Sequence, residues 1–269
     1  MSQSDDEPLC LDSIFPEPGR PPSPDPTTAV YKRTPRDQPG FNAGTSWQTI
    51  SIRLVGNHPL WGHYLWNASR SFASYLDAHP ELYRDRCVLE LGAGGGLPSI
   101  VTALNGARKV VVTDYPDAAL VDNLSFNVKQ NVPEDMMQAV DVKGYIWGQT
   151  VALLRESITR SDEASSTGFD LIIMSDLVFN HSQHDALLTT AESTLSNVSS
   201  DEHKATLLVF YTHHRPHLAH RDLEFFEKAR QRGWICEEIV TEKYPPMFPE
   251  DSGEEEVRAT VHGWALTRA

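Results

Sequence analysis

Val88-Leu89-Glu90-Leu91-Gly92-Ala93-Gly94-Gly95-Gly96-Leu97-Pro98 decides the fold. An apolar run enters a glycine turn, and Leu97 to Asn105 then reads as a helix. Glycines here let a ligand approach the backbone and supply φ values that other residues resist. The dinucleotide fingerprint needs a third glycine at position 97, where the chain has Leu97, and no G-x-x-x-x-G-K-[ST] is present. The pattern is instead Glu90-x-Gly92-x-Gly94-x-Gly96, with an acidic residue inside the strand.

Working outward, Lys109 to Thr113 is a β-branched strand ending at Asp114, and Asp117 caps a helix to Gln130. A carboxylate at that strand end can accept hydrogen bonds from both hydroxyls of a ribose. Val140 to Trp147 reads as a third strand and Thr150 to Ile158 as a helix. Arg160 to Gly168 reads as a polar surface loop. Phe169 to Met174 is a fourth strand, followed by Ser175, Asp176 and Phe179 where an open α/β sheet keeps its ligand crevice. His184 to Leu195 is helical, Thr206 to Tyr211 a fifth strand, and Leu218 to Arg232 an amphipathic helix closed by Gly233. Trp234 to Lys243 and Val257 to Leu266 read as strands with no helix between them, so they form an antiparallel pair. Five βα units and a hairpin imply an α/β, doubly wound sheet, mostly parallel, with one antiparallel strand near an edge. A helix over Trp66 to Leu82 packs on this sheet or leads into the site.

Length and composition set the frame. The chain has 269 residues, 40% of them hydrophobic, and a net charge of −14. No apolar run reaches the roughly 18 residues of a membrane span, and the acidic start lacks the pattern of a secretory signal. Three scattered cysteines suit a reducing cytosol. The acidic balance argues against nucleic acid and for a basic protein or cationic substrate. Nine prolines crowd residues 1–45, which reads as an extended, partly disordered head ahead of a domain spanning 46–269. That head is either a tail or, anchored through Leu9, Leu11, Ile14 and Phe15, a cover over part of a site.

Together these residues resemble the class I, seven-stranded S-adenosylmethionine-dependent methyltransferases, with a Rossmann-like sheet flanked by helices. The match narrows at Pro59 to Ala68, Thr113 to Asp117, Asn131 to Asp135 and Gly144 to Trp147-Gly148. These segments look like the fungal N-terminal and lysine methyltransferases of elongation factor 1-alpha, a group formerly called nicotinamide N-methyltransferase-like. The resemblance implies that Trp66, Glu90, Gly92, Ala93, Gly94, Asp114, Trp147 and Ser175 bind S-adenosyl-L-methionine. It implies that Asp176 orients the acceptor amine. Tyr115, Phe179, Tyr211 and His213 would contact the substrate, the N-terminal segment of elongation factor 1-alpha. The family trimethylates an N-terminal glycine and then dimethylates the adjacent lysine. A cytoplasmic monomer without metal, nucleic acid or membrane partner is expected. A nicotinamide methyltransferase, or a catalytically silent S-adenosylmethionine-binding module, would fit the same binding residues.

Other signals read as structure. The histidine-rich run Tyr211 to His220 lacks a carboxylate or cysteine at ligand spacing, so it reads as a structural or substrate loop. Cys87 and Trp61 read as packing, and Glu254 to Glu256 as a solvated loop that could steer a basic partner.

Overall fold

The computed structural model describes residues 24–34, 47–56, 58–60, 62–158, 168–197 and 204–268. Leu9, Leu11, Ile14, Phe15, Trp61 and most of the 160–168 segment lie outside them. A seven-stranded sheet forms from β3 (Cys87–Leu91), β4 (Lys109–Asp114), β5 (Val140–Gly144), β6 (Leu171–Ser175), β7 (Thr206–Thr212), β8 (Trp234–Lys243) and β9 (Thr260–Arg268). Their order is β5-β4-β3-β6-β7-β9-β8. All neighbours are parallel except β9, which runs antiparallel to both β7 and β8. The expected antiparallel strand is therefore β9, one place in from the edge.

Helices cover both faces, which explains the unbroken apolar runs of the central strands. On one face lie α1 (Asn67–Ala78), α2 (Leu97–Leu104) and α3 (Ala118–Asn131). They pack on Val88, Val110, Val112, Ile173 and Phe210, where Phe72 stacks on Phe210 at 4.1 Å. On the other lie α4 (Ala152–Glu156), α5 (His184–Thr194) and α6 (Ala219–Gln231), against Leu89, Val111, Ile172, Met174 and Val209. Asp117 caps α3 as expected, accepting from the Ala119 N–H at 2.8 Å.

Several boundaries differ from the sequence reading. The third strand stops at Gly144, so Trp147 lies in the turn beyond it. The helix expected over 150–158 is reduced to Ala152–Glu156. The acidic run Glu254 to Glu256 leads into a short helix, α7 (Glu255–Ala259), which delays the last strand to Thr260.

A strand also lies inside the proline-rich head. β1 (Thr27–Lys32) pairs antiparallel with β2 (Thr49–Leu54), and Tyr31 is buried in the main core. Proline excludes central strands, but six proline-free residues can still form one half of a two-stranded sheet. The outer edge of β2 is closed by side chains of α3. Asn131 pairs with both backbone groups of Ser51, and Asn127 with both of Arg53. These amides, one helical turn apart, imitate a partner strand and cover an edge that would otherwise be open. Asn127 also donates to the Gly95 carbonyl at 3.1 Å, tying β2 to the glycine turn.

Candidate active site

The carboxyl ends of β3, β4, β5 and β6, with the start of α1, surround a cleft of about 950 Å³. The glycine turn forms its floor. Gly92, Gly94 and Gly96 have φ of 59°, 55° and 76°, the left-handed region that glycine reaches without penalty. A Cβ on Gly94 would meet nothing within 4 Å, so this backbone faces open space where a ligand can approach. A Cβ on Gly92 would lie 2.8 Å from Leu177 and 2.9 Å from Trp147, which shows that both side chains lean over the turn.

Asp114 sits at the end of β4 and is 8% exposed. Its Oδ2 accepts from the Gly94 N–H at 2.6 Å and its Oδ1 from the Tyr115 N–H at 2.7 Å. Each carboxylate oxygen keeps a further acceptor site, so the fixed group can still receive two hydroxyls from the cleft. Burial raises its pKa above the usual carboxylate range; the Gly94 and Tyr115 N–H groups and nearby His58 offset this in part. Tyr115 and Ile146 are exposed at the same end, and Trp147 walls it.

Glu90 lies beneath the turn and does not line the cleft. It is fully buried, and its Oε2 accepts from the Ser99 N–H in the first turn of α2 at 3.0 Å. Its Oε1 has no partner. Burial pushes its pKa up to about 8; the neighbouring Ser99 opposes the shift and the Asp114 charge adds to it. The unfolded chain loses this proton near 4.5, so the folded state binds more protons between about pH 4.5 and 8. The contribution of Glu90 to the stability of the ligand-free protein therefore falls as pH rises through that window. Glu90→Gln removes the titration. Its melting temperature is expected to exceed the wild-type value at pH 8, with the gap closing by pH 5. A gap independent of pH would refute the assignment.

The opposite end of the cleft holds Trp66, Ser175, Asp176 and Phe179. Ser175 Oγ is buried without a partner, an orphan donor that a bound ligand would satisfy. Asp176 is 5% exposed and has φ 60°, a conformation that aspartate and asparagine tolerate better than other side chains. The end of β7 fixes its carboxylate. Oδ1 accepts from the Thr212 N–H at 3.3 Å, and Oδ2 from His214 Nε2 at 2.9 Å. Burial pushes the His214 pKa down, but the charge and hydrogen bond of Asp176 outweigh it, and the net shift is upward. His214 also packs on Trp66 at 4.8 Å. Tyr64 and Phe248 extend this aromatic wall, with Phe248 arriving from the loop between β8 and β9.

Two expected substrate contacts are corrected by strand alternation. Tyr211 is 1% exposed and packs in the core beneath the opposite face of the sheet, against Phe226. His213 turns away as well, onto Asp222 at 2.7 Å, and its neighbour His214 takes the place against Asp176. A strand buried at every position gives no period-2 signal from which to assign a face. Tyr64 and Phe248 were also missed, since 184 residues separate them and no local pattern joins them. Among the described residues, no cluster of three histidine, cysteine or acidic side chains is placed to hold a metal ion. No helix among them is long and apolar enough to cross a membrane.

Comparison with known proteins agrees with this geometry. The lysine methyltransferase family model matches residues 50–232. A protein N-terminal and lysine N-methyltransferase EFM7 of Cryptococcus neoformans is 44% identical, covering 99% of this chain and 91% of the relative. Its counterpart in Schizosaccharomyces pombe is 46% identical over 82% and 83% of the two chains. That of Candida glabrata is 42% identical over 94% of each. Solved structures share the fold at low identity. PH1948 of Pyrococcus horikoshii has a TM-score of 0.51 at 19% identity, covering 79% of this chain and 89% of its own. TYW2 of the same organism, solved with MeSAdo, has a TM-score of 0.50 at 15% identity, covering 82% and 69%. With the cleft, the β9 topology and these relatives in agreement, the chain belongs to the lysine methyltransferase family and, within it, to the protein N-terminal and lysine N-methyltransferases.

Proposed function

We propose that this protein transfers methyl groups from S-adenosyl-L-methionine to the N-terminal glycine and adjacent lysine of elongation factor 1-alpha. One observation carries the reading: a single cleft joins a fixed carboxylate, Asp114, beside an open glycine turn to a second fixed carboxylate, Asp176, inside an aromatic wall. When bound, the cofactor supplies an electrophilic methyl group on a sulfonium sulfur. Asp114 would hold its ribose, Trp147 would flank its adenine, and Gly92 to Gly94 would approach it through their backbone. Ser175 and Trp66 would close on its methionine side.

At the other end, Asp176 accepts hydrogen bonds from the acceptor amine and turns its lone pair toward the methyl group. An N-terminal amine has a pKa of about 7.7–8.0, so roughly a tenth to a sixth is neutral at pH 7. A lysine near 10.4 needs desolvation, which the walls formed by Trp66, Tyr64 and Phe179 provide. Holding both partners in attack geometry lowers the barrier by several kcal/mol without a covalent intermediate. The chain's net charge of −14 suits a basic protein partner. The protein would work in the cytoplasm as a monomer, without a metal.

The deciding assay supplies labelled methyl donor together with purified elongation factor 1-alpha and free nicotinamide. Label on the N-terminal peptide is expected. Label on nicotinamide would instead make this a small-molecule enzyme, and no label would make it a silent binding module.

A further inference from the structure

Two loops wall the acceptor end of the cleft, and one buried aspartate outside the cleft joins them. The first loop follows β6 and brings Phe179, Asn180, Ser182 and Gln183 to the wall. The second follows β7 and sets His214 against Asp176. Asp222, in the first turn of α6, reaches both. Its Oδ1 accepts from His181 Nε2 at 2.7 Å, and its Oδ2 from His213 Nδ1 at 2.7 Å. The side chains of His181, Asp222 and His213 are all under a tenth exposed. A carboxylate only accepts, so both ring nitrogens facing it must donate. Such charge-assisted bonds are roughly twice as strong as neutral ones and fix direction as well as distance. Among the described residues the backbone joins the two loops only at their roots, where the Asp176 N–H donates to the Phe210 carbonyl at 2.7 Å; further out the backbone bonds from Asn180 to Leu177, Gln183 to Asn180 and Leu218 to Arg215 close within each loop.

The cluster lies beside the cleft and not in it, since none of its three residues is part of the lining. Yet each histidine is one residue from a group that shapes the cleft, Asn180 in its lining or His214 on the Asp176 carboxylate. His181 follows Asn180 of the wall, and His213 precedes His214. A shift of either ring therefore moves the wall or the imidazole that holds Asp176.

We propose that Asp222 is a positioning residue for methyl transfer, clamping the β6 and β7 loops together so that Phe179, Asp176 and His214 meet around the acceptor. The proposal rests on reading the cleft as a methyl-transfer site. It explains why consecutive histidines grip two different aspartates: His213 anchors the loop to α6 while His214 spends its hydrogen bond on the site.

The full chain carrying Asp222→Ala, Asp222→Asn or His181→Gln tests this. Hydrogen exchange with S-adenosylmethionine bound should accelerate by ~10-fold or more across 177–183 and 213–218 in Asp222→Ala, with the central strands unchanged. Cofactor affinity should stay within about threefold, because the glycine turn and Asp114 are untouched, while turnover of an elongation factor 1-alpha N-terminal peptide falls ~10- to 100-fold. Asp222→Asn keeps the shape and accepts from one ring, and His181→Gln leaves the bond to His213. Both should fall between Asp222→Ala and wild type. Unchanged exchange in both loops would overturn the clamp, as would parallel losses of cofactor affinity and turnover in all three variants. If the wild-type protein leaves the peptide unmethylated, the substrate assignment falls and the exchange data still decide the clamp.

Discussion

Asp114→Ala is expected to weaken S-adenosylmethionine binding by ~100-fold or more while leaving the fold intact. The carboxylate is buried, fixed at both oxygens by backbone N–H groups, and placed at the end of β4 over the cleft. A hydrogen bond to a charged group contributes about 1.5–3 kcal/mol, and a ribose offers two hydroxyls. Losing roughly 3 kcal/mol corresponds to more than two orders of magnitude in Kd. Alanine also leaves the Gly94 N–H without its acceptor, which loosens the turn itself. Calorimetric titration gives the affinity, and circular dichroism checks the fold. An unchanged Kd would end the ribose assignment. The raised pKa of Asp114 adds a second expectation. Wild-type affinity should begin to fall on acidification at a higher pH than an exposed aspartate would give, and the alanine variant should lack this step.

The glycine-turn half of the cleft was legible in sequence because its determinants are local. Glu90 to Gly96 encodes strand and turn within a few residues, Asp114 ends the next strand, and Trp147 lies just past the third. Asp176 and Phe179 follow their strand in the same way. The end of the cleft around Asp176 is assembled from distant pieces. Tyr64, His214 and Phe248 meet only after β7 and the β8–β9 loop fold over α1, where Asn67 donates to the Pro245 carbonyl at 2.8 Å. Which of His213 and His214 reaches Asp176 depends on facing. A strand buried on both faces carries no alternation to set it, so Tyr211 looked as available as its neighbours although it is 1% exposed. β1 was hidden for another reason. Proline density describes a segment on average, while six residues from Thr27 to Lys32 suffice to pair with β2. The Asn123, Asn127 and Asn131 spacing on α3 was open to reading as a helical face, but its partner strand lies some 75 residues earlier, and only the fold shows which backbone it serves.

Asp176→Asn should leave S-adenosylmethionine affinity within about threefold and lower turnover by ~10²- to 10³-fold, the range expected for a positioned group that handles the reacting amine. Asparagine is the informative replacement because Asp176 sits at φ 60°. Alanine there would add backbone strain of about 1 kcal/mol or more and confuse folding with chemistry, whereas asparagine adopts this conformation nearly as readily as aspartate. The two donors facing the carboxylate constrain the outcome further. Thr212 N–H cannot reverse its role, so the amide oxygen must remain toward it, and the amide NH₂ then faces His214. His214 can meet an NH₂ only by presenting a lone pair, which requires the neutral ring. The wild-type carboxylate raises the His214 pKa; without that charge the dominant influence left on the ring is burial, which lowers it. The variant should therefore keep a neutral His214 at neutral pH, and a histidine ring titration followed by nuclear magnetic resonance should shift downward relative to wild type. What the amide cannot supply is negative charge beside the acceptor and a full set of acceptor lone pairs for its N–H groups. The loss should thus appear in kcat with a protein acceptor and be absent from cofactor titrations. Full turnover in Asp176→Asn would remove Asp176 from the chemistry and leave the aromatic wall alone to orient the amine.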